Sequence, residues 1–127
     1  MRSALRLLTS GLLIALLCAA AFAQGSQTGG LTGVITDPQG AVVPGASVQI
    51  VNEKTGKAER TTTTGADGAY AATLLTPGTY SVEVTAKNFK KTVVTSVEVR
   101  ITETTRQDVT LTVGGVTETV EVQAEAT

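Results

Sequence analysis

Asp37 and Asp67 are the carboxylates whose surroundings first invite a chemical reading. Each sits in a glycine-bearing turn, Asp37-Pro38-Gln39-Gly40 and Gly65-Ala66-Asp67-Gly68. A calcium ion would need six to eight oxygen ligands converging on such a loop. Neither loop offers a second nearby carboxylate, so both aspartates read as caps that bond to their own backbone two residues on. Ser47 and Ser81 carry hydroxyls, but both fall on expected strands and nothing pairs either one with an activating lysine. A lysine–asparagine cross-link would need a lysine in the first strand and an asparagine in the last. Leu31 to Thr36 has no lysine, and Thr105 to Val113 has no asparagine. The chain has no histidine, which removes imidazole acid–base catalysis and histidine triads. Its one cysteine, Cys18, lies in an N-terminal export segment, so thiol nucleophiles and Cys/His zinc sites are excluded as well. No catalytic, cofactor-binding or metal-ligating residue is expected, and no cofactor.

The export segment is legible at once. Arg2 and Arg6 precede an apolar run from Leu7 to Leu17, and Ala21-Phe22-Ala23 supplies small residues where a signal peptidase reads. Residues 1–23 therefore read as a signal peptide cut between Ala23 and Gln24. The competing reading, an uncleaved anchor, meets a run shorter than the ~20 residues a spanning helix needs. Lipidation at Cys18 would require a small residue before it, and Leu17 stands there. The mature chain is thus expected to be exported and not membrane-spanning, at the periplasm, the outer membrane or the cell surface. Without Arg2 and Arg6 it carries eight basic and eleven acidic residues. No basic patch forms, so nucleic acid is not an expected partner.

Residues 24–127 contain 22 threonines and 16 valines, β-branched types that suit a pleated surface and crowd a helix. Residues 24–30 are expected to form a flexible Gly/Ser/Thr leader. Strands are predicted over Leu31–Thr36, Ala46–Asn52, Ala58–Thr64, around Tyr70–Leu74, Tyr80–Ala86, Val93–Ile101 and Thr105–Val113. The third is polar throughout, as an edge strand should be. Tyr70, Ala72 and Leu74 alternate, as do Tyr80, Val82 and Val84; Val97, Val99 and Ile101 share a face, and so do Val109, Leu111 and Val113. Seven short strands at this spacing predict an all-β sandwich over residues 31–113. Residues 114–127 are expected to form an extended tail outside the core. Between the first two strands, Asp37-Pro38-Gln39-Gly40 and Pro44-Gly45 are rigid turns around Val42-Val43, an apolar lid for one end of the sandwich. Asn88 suits a left-handed backbone and Phe89 can close over the core. Tyr70, Tyr80 and Phe89 are the aromatics of the mature chain and read as core residues rather than a sugar-stacking platform.

The succession from Gly33 to Ile50, G-x-I-x-D-P-x-G-x-x-x-P-G-A-x-V-x-I, resembles the carboxypeptidase regulatory-like domain. T-G-A-D-G-A-Y at Thr64–Tyr70 and L-x-P-G-T-Y-x-V-x-V-x-A at Leu75–Ala86, followed by Phe89, fit the same family. Asn88 departs from it, standing where glycine is usual. The resemblance implies a seven-stranded, Greek-key, transthyretin-like sandwich without catalytic activity of its own. It is most similar to the N-terminal extension of outer-membrane TonB-dependent receptors, where the extension precedes a TonB box, a plug and a barrel. Here Gly114-Gly115 is followed by Glu118, Thr119, Val120, Glu121, Val122, Gln123 and Ala124. That run is similar to a TonB box, which works by adding a strand to an open sheet edge.

The resulting expectation is a non-enzymatic, exported interaction module. Its partner would be the periplasmic domain of TonB or an outer-membrane receptor, with residues 118–124 as the contact and no small-molecule substrate. These 127 residues hold neither plug nor barrel, so this polypeptide alone is expected to transport nothing. The alternative is a structural or adhesive surface module that spaces other domains, and a frayed last strand is the plain reading of the tail.

Overall fold

Apolar alternation with period 2 gives each strand one face to bury, and two sheets stacked face to face are the way this chain buries them. The computed structural model describes residues 1–19 and 27–124. The Ala21-Phe22-Ala23 cleavage site lies outside the described residues. Helix α1 (Arg2–Ala19) precedes the sandwich. Its Leu5, Leu7, Leu8, Leu12, Leu13 and Ile14 are exposed. No helix among the described residues is long and apolar enough to cross a membrane.

Nine strands follow: β1 (Gly29–Thr36), β2 (Ser47–Asn52), β3 (Lys57–Thr63), β4 (Ala69–Leu75), β5 (Gly78–Thr85), β6 (Lys91–Val99), β7 (Thr104–Arg106), β8 (Val109–Thr110) and β9 (Thr119–Gln123). One sheet runs β4-β1-β7, with β8 continuing beside β1 after β7; the other runs β3-β2-β5-β6-β9. The polar third strand takes an edge, as predicted. Consecutive β1 and β2 lie in different sheets, so the Asp37–Gly45 loop crosses the end of the sandwich. The core is filled by Leu31 and Ile35 from β1, Val48 and Ile50 from β2, Tyr80, Val82 and Val84 from β5, and Val94, Val97 and Val99 from β6. Each such side chain contributes roughly 1.5–3 kcal/mol of burial.

Four expectations change. Leu74 is exposed and Leu75 takes the core position instead. Between Ala72 and Leu75 the strand carries one residue more than β1 opposite it, and Leu74 absorbs the bulge at φ +57°. Such an insertion flips the inward phase of everything after it. Ile101 is also exposed, because β6 ends at Val99 and Ile101 lies in the turn to β7. The expected last strand is split into β7 and β8, and Val113 is exposed beyond them, bridged to Phe89. Finally, the segment expected outside the core joins the second sheet: β9 pairs in parallel with β6, Lys91 opposite Thr119 through Thr95 opposite Gln123. The described residues form nine strands where seven are predicted.

Candidate interaction edge

The two turn aspartates are structural caps. Asp37 Oδ1 accepts from the backbone N–H of Gln39 and of Ala41, both at 2.9 Å. Asp67 Oδ1 accepts from Ala69 N–H at 3.1 Å. Gly68 completes the second turn at φ +70°, and a Cβ there would stand 2.8 Å from Val42 Cβ and 2.9 Å from the Ile35 carbonyl. Val43 is buried as the lid of this end, whereas Val42 is 45% exposed. Among the described residues no group of three acidic, histidine or cysteine side chains comes together. Ser81 Oγ donates to Glu53 Oε1 at 3.2 Å.

The aromatics serve the core. The Tyr80 hydroxyl donates to the Thr76 carbonyl at 2.7 Å, across the β4–β5 turn. The Tyr70 hydroxyl donates to the Gln107 carbonyl at 2.5 Å, tying β4 to the β7–β8 junction. Burial pushes the Tyr70 phenol well above its usual range, and the Asp108 carboxylate adds to the rise. Gly33 lies under that junction: a side chain there would run into the Gln107 carbonyl and the Tyr70 ring.

Residues 118–124 form the outer strand of the five-stranded sheet. Lys91 N–H donates to the Glu118 carbonyl and Ala124 N–H to the Thr95 carbonyl, both at 2.8 Å. Lys90 Nζ and Glu118 Oε2 form an ion pair at 3.0 Å, worth little at an exposed site. Lys91 pairs instead with Glu83 at 2.8 Å, so of Lys87, Lys90 and Lys91, which flank Phe89 in the sequence, two are spent on carboxylates. Because the register sets Val120 beside Thr92 and Val122 beside Val94, Val120, Val122 and Ala124 face the core side. Ala124 reaches the core cluster, but Val122 stays 48% exposed. Backbone groups alternate in direction along a strand. With Glu118 C=O and Ala124 N–H spent on β6, the N–H and C=O of Thr119, Glu121 and Gln123 point away from it, and among the described residues no strand pairs with β9 on that side.

Sequence reasoning placed the alternation of 118–124 but missed its docking on β6; the same alternation that suits a partner's sheet suits its own. It also missed a cleft of about 1080 Å³ between β6–β9 and β7–β8, whose wall is the continuous run Glu103–Thr110. Thr92 lines it, 2% exposed, and its hydroxyl has no hydrogen-bond partner.

The family model of the carboxypeptidase regulatory-like domain matches residues 30–112. No curated protein matches the sequence. Among solved structures, the TIE protein of Bacillus anthracis is similar at TM-score 0.58 and 22% identity, over 68% of this chain and 17% of that one. The minor pilin of Streptococcus agalactiae gives 0.55 and 15%, over 71% and 46%. A putative carbohydrate binding protein from Bacteroides uniformis gives 0.54 and 20%, over 68% and 42%. At these identities the likeness is one of fold, and the chain spans less than half the length of each.

Proposed function

The chain belongs to the carboxypeptidase regulatory-like domain family, and from that premise we propose that it is a non-enzymatic interaction module of the cell envelope, exported by its N-terminal segment and working by strand pairing. The observation that carries this reading is β9: an alternating strand at a sheet edge, held to the sandwich on one side and, among the described residues, unpaired on the other. A partner strand can add to that outer edge while β9 stays docked, with main-chain bonds giving affinity and alternate side chains giving fit. The partner proposed is the periplasmic domain of TonB, because the order sandwich, Gly114-Gly115, acidic–threonine–valine strand resembles the front of a TonB-dependent receptor. Tyr70 and Tyr80 are spent on the core and Asp37 and Asp67 on turn caps, which is consistent with a scaffold that presents this edge.

The test is titration of the chain with the periplasmic domain of TonB by calorimetry. Binding in the micromolar-to-millimolar range is expected, with loss of binding in Glu121→Pro, which deletes an outward N–H and spares the β6 ladder. No affinity at ~1 mM, or undiminished binding in Glu121→Pro, would sink the reading.

A further inference from the structure

The two sheets end in a step. The β4-β1-β7 sheet stops at β7, which contacts β6 across the layer, while the other sheet continues one strand further to β9. Above β9 there is accordingly the width of one missing strand, about 4.8 Å, and this is the cleft walled by Glu103–Thr110. The floor of that slot carries Val122, left 48% exposed. Its wall is an unpaired strand edge: Glu103 C=O and Gln107 N–H bond back to β1, so by alternation the Thr104 and Arg106 backbone groups point into the slot. An unpaired edge beside an exposed apolar floor is a template for another strand.

We propose that the occupant is β9 of a second copy of this chain, in a reciprocal lap joint. The overhang of one copy has the dimensions of the deficit in the other, because both are one strand wide. A two-fold axis running along the strand direction at this edge turns the partner over, so that its β9 enters the slot beside β7–β8 while the first copy's β9 enters the partner's slot. Both joints form at once, which is the self-complementarity a closed dimer requires. The direction also fits. The chain reverses between β6 and β7 through the turn beginning at Arg100, and β9 runs parallel to β6, so a partner β9 meets β7–β8 antiparallel. The outward groups of Thr119, Glu121 and Gln123 then face the outward groups of Thr104 and Arg106, and the two copies of Val122 cover each other across the layer. Five residues of β9 fit within the eight-residue wall. This pairing stands whether or not TonB is a partner.

The test is sedimentation of the full chain over a concentration series from about 1 µM to about 1 mM, the range in which weak interfaces populate. A concentration-dependent two-chain mass is expected. Arg106→Pro blocks the slot wall and Val122→Lys places a charge on each floor; each should weaken the dimer at least about tenfold while circular dichroism stays unchanged. Arg106→Pro should leave any TonB binding intact, since that reading uses β9 alone. A single-chain mass throughout the series, or a dimer of undiminished strength in both folded variants, would overturn the proposal. Should Arg106→Pro fail to fold, Val122→Lys decides alone, its side chain being half in solvent already.

Discussion

Tyr70 concentrates at one residue what the β4-β1-β7 sheet needs at its junction. Its ring is buried, and its hydroxyl donates to the Gln107 carbonyl where the expected last strand breaks into two. Gly33 has to be glycine for that ring and carbonyl to come so close. The sequence shows Tyr70 as inward by its alternation with Ala72, but the destination of its hydroxyl, 37 residues away, leaves no trace in a local pattern. The raised phenol carries a consequence for stability. Below pH ~10 both the folded and the unfolded chain hold the proton, and the contribution is fully present. Above it the unfolded chain releases the proton while folded Tyr70 retains it, so stability falls as pH rises, by up to about 1.4 kcal/mol per unit for this one group. Urea midpoints at mildly and strongly alkaline pH should show that decline, and Tyr70→Phe should flatten it while lowering the neutral-pH midpoint through the lost hydrogen bond. An equal alkaline slope in wild type and Tyr70→Phe would refute the assignment.

Element boundaries were legible where turn chemistry is strong. Pro38, Pro44 and Pro77 with their neighbouring glycines, and Asn88 at φ +70°, punctuate the chain as their types predict. Phase was lost where a bulge sits on a residue that does not advertise one. Leu74 at φ +57° and Ser96 at φ +62° are neither glycine nor asparagine, yet each marks an extra residue in β4 and β6. Past Ser96 the inward set becomes Val97 and Val99, which the sequence reading had right, because the alternation was counted from Val97 rather than carried across the bulge. The sequence leaves the tail outside the core because Val120 and Val122 alone cannot say which sheet edge they meet. Its attachment is thin beside that of β5: one ladder, one exposed ion pair, and a single residue, Ala124, in contact with the core. Local opening free energy follows such differences in burial. In dilute solution, the amides of Val120, Val122 and Ala124, the ones turned toward β6, should exchange with deuterium at least about tenfold faster than those of β5, which is paired on both sides. Equal protection of the two strands would show β9 to be an integral part of the folding unit.

At the scale of the whole molecule, the sandwich and the N-terminal helix are unequal in kind. Among the described residues, every member of the core cluster belongs to the span from Leu31 to Leu111, whereas Leu5, Leu7, Leu8, Leu12 and Leu13 of α1 lie about two-thirds to three-quarters exposed. Exposed apolar runs of that size raise association in water and add nothing to the fold when nothing covers them. The sandwich has what an independent domain needs: two sheets, a core that reaches both, and a crossing loop pinned by Asp37 at one end and by the Thr64 hydroxyl, which donates to the Val43 carbonyl at 2.7 Å, at the other. A chain beginning at Gln24 should therefore unfold within about 0.5 kcal/mol of the full-length protein, the range of changes remote from any core feature, and should remain soluble to higher concentration. Denaturant titration of the two forms measures the first expectation and light scattering the second. A loss of several kcal/mol on removing residues 1–23 would mean that the export segment folds onto the sandwich, and its reading as a detachable signal would fall with it.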